Sequence, residues 1–139
     1  MLSHMDTETL TMLHDARAAE KAQALFYRAL AAEAEQRGDA PLAERYNDLH
    51  ADEQHHLSRL TARLLELGAP LAELGGMKGE HVGMDGWEPA ARTREEAEIA
   101  RYEALLERPL DEPTAALLRE IVDTERNHAR ELGGKWTPA

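Results

Sequence analysis

The feature that most constrains this chain is that its central elements occur twice. With Glu20 laid over Glu95 and Tyr27 over Tyr102, the segment EKAQALFYRAL falls on EEAEIARYEAL. Further along, Glu53-x-x-His56 falls on Glu125-x-x-His128. Glu20 to Glu53 spans 33 residues and Glu95 to Glu125 spans 30, a difference one loop absorbs. A unit repeated in this way cannot bury its apolar face alone, so the fold has to set one copy against the other.

Each unit reads as a pair of helices. Ala and Leu dominate, and apolar residues recur three and four apart. No segment alternates with period two. The first helix is expected from about Thr7 to Arg37, ending at Gly38. Asp39 caps a second, with Pro41 in its first turn, that continues to Gly68. Residues 68–89 hold five further glycines and two prolines, which predicts an irregular crossover. A third helix is expected from near Pro89 or from Thr93, where TREE reads as a capping box, as far as Pro109. Asp111 caps a fourth that ends at Gly133-Gly134. Short links within each pair and one long link between them predict an all-α fold: two antiparallel hairpins packed as a four-helix bundle.

The inward stripes of these helices are apolar at both ends and ionisable in the middle. The first reads Leu10, Leu13, Ala16, Glu20, Ala24, Tyr27, Ala31, and the second Leu42, Tyr46, Leu49, Glu53, His56, Leu60, Leu64, Leu67. The third reads Ala91, Glu95, Glu98, Tyr102, Leu105, and the fourth Leu118, Ile121, Glu125, His128, Leu132. Positions three and four apart share a helix face, so these carboxylates and imidazoles are expected to point inward. A lone buried carboxylate costs several kcal/mol, so the cluster needs positive charge. Arg17 borders the stripe one turn before Glu20, but one cation cannot balance Glu20, Glu53, Glu95, Glu98 and Glu125 together. A metal is the better counter-charge. One Glu-x-x-His pair is expected by chance in a Glu-rich chain with 7 His. The argument rests instead on both pairs occupying apolar stripes at the same point of a repeat. Glu33, Glu35, Glu44, Glu66, Glu103, Glu107 and Glu120 fall off the stripes and are expected on solvated faces. His14, His50, His55 and His81 also lie off them.

Composition limits the remaining choices. At 139 residues this is one domain, residues 6–134, with MLSHM (1–5) read as a cloning scar and 135–139 as a tail. A formal charge of -11 argues against nucleic acid and anionic membrane as partners. No run is long and apolar enough to span a bilayer, and the start lacks the layout of a signal peptide, so a cytoplasmic location is expected. The absence of cysteine leaves His and carboxylate as the metal ligands.

One Glu from each of two helices, with a Glu-x-x-His from each of the other two, resembles the ferritin-like di-iron carboxylate pattern. Within that superfamily the chain is most similar to the rubrerythrin di-iron domain and shares features with bacterioferritin, over roughly residues 7–133. The resemblance implies two iron ions, a manganese-containing site being an open variant. Glu53 and Glu125 would bridge them, His56 and His128 would each ligate one, and Glu20 and Glu95 would be terminal ligands. Tyr27 and Tyr102 would hydrogen-bond to ligands or donate an electron, or simply fill core with the hydroxyl satisfied by a Glu. Glu98, whose counterpart in the first half is Gln23, resembles the additional glutamate with which rubrerythrins exchange a ligand; it could equally be a hydrogen-bond acceptor beside the site. The rubredoxin module of rubrerythrins is not represented, so electrons would come from Fe(II) or a separate donor protein.

The expected function is an oxidoreductase reducing hydrogen peroxide, or O₂, to water. The alternative is a ferroxidase that oxidises Fe(II) and stores iron within an assembly. An oxygenase and a metal-free helical interaction module are further alternatives. A homodimer or larger homo-oligomer is expected, and the short segment GGKWTPA makes a large cage the less expected form.

Overall fold

The computed structural model describes residues 5–133. Four helices follow in order: α1 (Thr7–Arg37), α2 (Ala40–Glu66), α3 (Trp87–Leu106) and α4 (Glu112–Glu131). No strand occurs among the described residues. Helices α1 and α2 form one hairpin and α3 and α4 the other. Tyr27 reaching Glu95 and Arg108 reaching Thr9 show that α1 and α3 run antiparallel. His128 against Asp52 and Arg63 against Asp111 show the same for α2 and α4.

The expected helix ends hold in the first hairpin, where capping chemistry is local. The Asp6 carboxylate accepts from the Thr9 amide at 2.7 Å, and Asp39 accepts from Leu42 at 3.2 Å. Gly38 takes a left-handed φ of 72°, so that its own amide and that of Asp39 close back onto Glu35 and Ala34. In the second hairpin the start of α3 near Pro89 holds and the alternative at Thr93 does not, and the cap of α4 differs from expectation. Helix α3 starts at Trp87, with Gly86 in the left-handed region before it, so Thr93 lies inside the helix and TREE is no capping box. The cause is tertiary. The Trp87 ring meets Tyr46 edge-on at 4.7 Å and draws the helix start into the core, with Pro89 tolerated in the first turn. Asp111 stands at the N-cap of α4, but its carboxylate serves Arg63 at 2.8 Å and the Thr114 hydroxyl at 2.6 Å in place of the helix amides.

Two apolar clusters fill the bundle. One gathers Leu13, Leu60, Leu64, Tyr102, Leu105, Leu118 and Ile121, and the other Phe26, Tyr27, Leu30, Tyr46, Trp87 and Leu132. At roughly 1.5–3 kcal/mol for each large apolar side chain, these clusters drive folding. The ionisable middles of the four stripes lie between them. Residues 1–4 of the proposed scar and residues 134–139, with Gly134 and the tail, lie outside the described residues. Met5 packs, half-buried, against the first cluster.

The crossover is tied down along its length. Arg17 donates to the Ala72 carbonyl and Thr61, Arg94 reaches Glu80, and Glu33 accepts from the Met84 amide at 2.6 Å. Two expectations are thereby corrected. Arg17 holds the crossover and α2 and does not pair with Glu20, and Glu33 is a partly buried strap.

Candidate metal centre

Each helix contributes to the centre from the middle of its buried stripe. Glu20, Glu53, Glu95 and Glu125 are all fully buried, and His56, His128 and Glu98 nearly so. Two sets of possible ligand atoms form, each within a 4.8 Å span: Glu20, Glu53, His56 and Glu125, and Glu53, Glu95, Glu125 and His128. Glu53 and Glu125 belong to both sets. The geometry thus joins two four-residue sites through two common carboxylates, with each half of the repeat supplying three residues of one site and lending one carboxylate to the other.

The polar atoms of the centre fit a cation. Both oxygens of Glu53 and of Glu125, and one oxygen each of Glu20, Glu95 and Glu98, are buried without a hydrogen-bond partner in the protein. His56 Nδ1 stands 3.3 Å from Glu125, 3.5 Å from Glu20 and 3.6 Å from Glu53, contacts longer than a good hydrogen bond. His128 Nδ1 is 3.1 Å from Glu95 and 3.6 Å from both Glu53 and Glu125. Carboxylate oxygens and imidazole nitrogens are the donors that iron and manganese accept. The four carboxylates of the two sets together match the charge of two divalent ions.

The electrostatics have the same origin. Burial, followed by the charges of Glu20, Glu95 and Glu125, holds the Glu53 carboxyl well above its ordinary range. Burial lifts Glu125 to about 8, the nearby His56 imidazole opposing the rise and the charges of Glu95 and Glu20 adding to it. Burial would lower both imidazoles, yet Glu125 and Glu20 raise His56 to about 9, and Asp52 and Glu95 raise His128 to about 10. Without a metal, protons do the neutralising.

The tyrosines brace the centre crosswise. Tyr27 on α1 donates to Glu95 Oε2 on α3 at 3.0 Å, and Tyr102 on α3 donates to Glu20 Oε2 on α1. Each bond fixes one oxygen and leaves Oε1 of the same carboxylate unpartnered. Burial and the adjoining carboxylate push both phenols well up, which keeps them protonated donors.

Glu98 lies outside both four-residue sets. Its Oε2 is unpartnered and Arg101 stands 3.9 Å from Oε1. Burial and then the charges of Glu20 and Glu125 raise it to about 8, against Arg101. Its repeat counterpart Gln23 is buried as well and accepts from Arg94 at 2.7 Å.

Two residues near the centre escape a reading by stripes. Asp52, next to Glu53 and largely exposed, binds the far nitrogen of His128 at 2.8 Å. Arg45 is buried at the α2 and α4 ends, 5.8 Å from the Trp87 ring centre and 4.0 Å from Glu131. His50, off the stripes as expected, lies half-buried with Nδ1 2.9 Å from the Ala24 carbonyl. His55 and His81 are exposed.

No protein-family model matches the chain, and no curated protein matches it in sequence. Among solved structures it is similar to Mycobacterium tuberculosis bacterioferritin, BfrA, with a TM-score of 0.84 and 20% identity over 96% of this chain and 86% of that one. That likeness, with four helices in two antiparallel hairpins, makes the fold a ferritin-like four-helix bundle.

Proposed function

We propose that this chain is a di-iron oxidoreductase whose buried centre oxidises Fe(II), delivering Fe(III) to a store within its own homo-oligomer or a surrounding shell. The observation that carries the reading is the pair of four-residue sites sharing Glu53 and Glu125. Support comes from the bacterioferritin likeness of the whole fold and from a net charge of -11, which draws cations to the surface.

In this reading Glu53 and Glu125 would be held in common by both ions, Glu20 with His56 and Glu95 with His128 would complete the two sites, and bound iron would supply electrons to O₂ or peroxide. The protein's own work is positional. Tyr27 and Tyr102 orient the terminal carboxylates, and the apolar clusters above and below exclude water from the charged belt. The two electrons such a pair would supply, with two protons from solvent, suffice to take one peroxide to two waters.

Glu98 favours a second reading, rubrerythrin-like peroxide reduction with electrons from a separate donor. It is a fifth buried carboxylate on the Glu20 and Glu125 side that the bridging scheme does not use. Anaerobic Fe(II) binding to chelator-stripped protein is expected to saturate at two ions per chain. On admission of O₂ or peroxide, oxidation and retention of many more than two irons per chain supports the iron-handling reading. Retention of two, with continued peroxide turnover on added reductant, supports the second. Failure to bind iron above a Glu53→Ala control would sink both.

A further inference from the structure

The internal repeat is broken beside the centre. Asp52 immediately precedes Glu53, whereas the residue immediately preceding Glu125 is Thr124. The Asp52 carboxylate engages His128 Nε2 at 2.8 Å and leaves Nδ1 facing Glu53, Glu95 and Glu125. The Thr124 hydroxyl turns back to its own helix and donates to the Glu120 carbonyl at 3.3 Å. One imidazole is thus gripped by a carboxylate of the opposite hairpin, and the corresponding residue of the other half offers no charge to its partner.

A neutral imidazole binds a metal through the nitrogen that lacks the proton. A carboxylate on the other nitrogen holds the proton there, fixes the ring's rotation and makes the free lone pair more basic. Asp52 stands at a cleft of about 300 Å³ between α2 and α4, so it remains hydrated and charged at little cost. We propose that Asp52 is a positioning residue that makes the two metal positions unequal, so that the Glu95 and His128 side binds more tightly and fills before the Glu20 and His56 side. This rests on the two-ion reading above.

The test is an anaerobic Co(II) titration of the stripped full chain, followed by visible absorption, with equilibrium dialysis for stoichiometry. The unmodified protein is expected to take two ions in two resolved steps. Asp52→Ala is expected to weaken the tighter step about 10–100-fold and merge it with the second, while the second step keeps its constant. Asp52→Asn, which retains an acceptor without the charge, falls between the two. Thr124→Asp is expected to tighten the weaker step and leave the first alone. Melting of the metal-free variants separates this effect from loss of fold. Two equivalent steps in the unmodified protein, or an Asp52→Ala variant that keeps both constants or loses both equally together with its melting point, would overturn the inference and leave the two-ion reading standing. Fewer than two ions in the unmodified protein would overturn both.

Discussion

At Glu53 both carboxylate oxygens are buried and unpartnered, so the residue is costly to the metal-free fold and valuable only when a cation is present. Glu53→Gln keeps the volume and removes the charge. At pH 8 it is expected to stabilise the metal-free protein by about 1 kcal/mol or more, and to abolish the rise in melting temperature on adding Fe(II) or Mn(II) anaerobically. A metal-induced rise as large as in the unmodified chain would remove Glu53 from the ligand set. Tyr27 is the opposite case, because its hydroxyl is satisfied by a carboxylate. Tyr27→Phe leaves Glu95 Oε2 with one partner fewer and is expected to lower stability by about 1–3 kcal/mol in denaturant unfolding. The roles of these residues follow from what their atoms lack or possess. Stripe periodicity alone told only that they face inward.

At the scale of elements, the crossover is the irregular segment on which the bundle most depends. Gly79 passes so close to α1 that an added Cβ would lie 2.7 Å from Leu25 Cβ and 3.0 Å from the Leu25 carbonyl carbon. Backbone cannot retreat as a flexible side-chain end does. Gly79→Ala is therefore expected to cost about 1–3 kcal/mol and to loosen the ties at Glu80 and Met84, measurable as faster amide exchange at Met84. Unchanged exchange there would show that the crossover accommodates the methyl group. The same segment explains why α3 begins at Trp87 and not at Thr93. The capping pattern in TREE is a local signal, and Trp87 packing on Tyr46 supplies a larger, non-local one.

For the whole molecule, the charged belt between two apolar clusters links stability to pH. Glu98 and Glu125 rise from an ordinary value of 4.5 to about 8, so the folded form holds protons there that the unfolded chain has lost. His56 and His128 rise from 6.5 to about 9 and about 10, with the same sign. Stability from these groups is complete below their ordinary values and is lost as pH climbs through the folded ones. The melting temperature of the metal-free protein is accordingly expected to fall between about pH 5 and pH 9. Bound divalent ions compete with the same protons, so the melting increment on adding metal should grow with pH over that window. A metal-free melting temperature that rises with pH would contradict the proton-neutralised centre. An increment independent of pH would mean that metal binds elsewhere.

The repeat, the helical periodicity and the interrupted stripes were enough to specify two hairpins, the helix starts of the first near Thr7 and at Asp39, and an inward belt containing Glu20, Glu53, His56, Glu95, Glu98, Glu125 and His128, because each depends on residues close in sequence. What only tertiary structure decided depends on residues far apart. It drew Glu53 and Glu125 into two sites at once, left Glu98 beside them and outside both sets, and decided between the two starts open to α3 in favour of the one near Pro89, at Trp87. It also turned Asp52 from an off-stripe surface acid into the partner of His128. A helix stripe ranks residues by direction from their own axis, whereas Asp52 matters because α4 packs alongside α2 and brings an imidazole from 76 residues away within 2.8 Å.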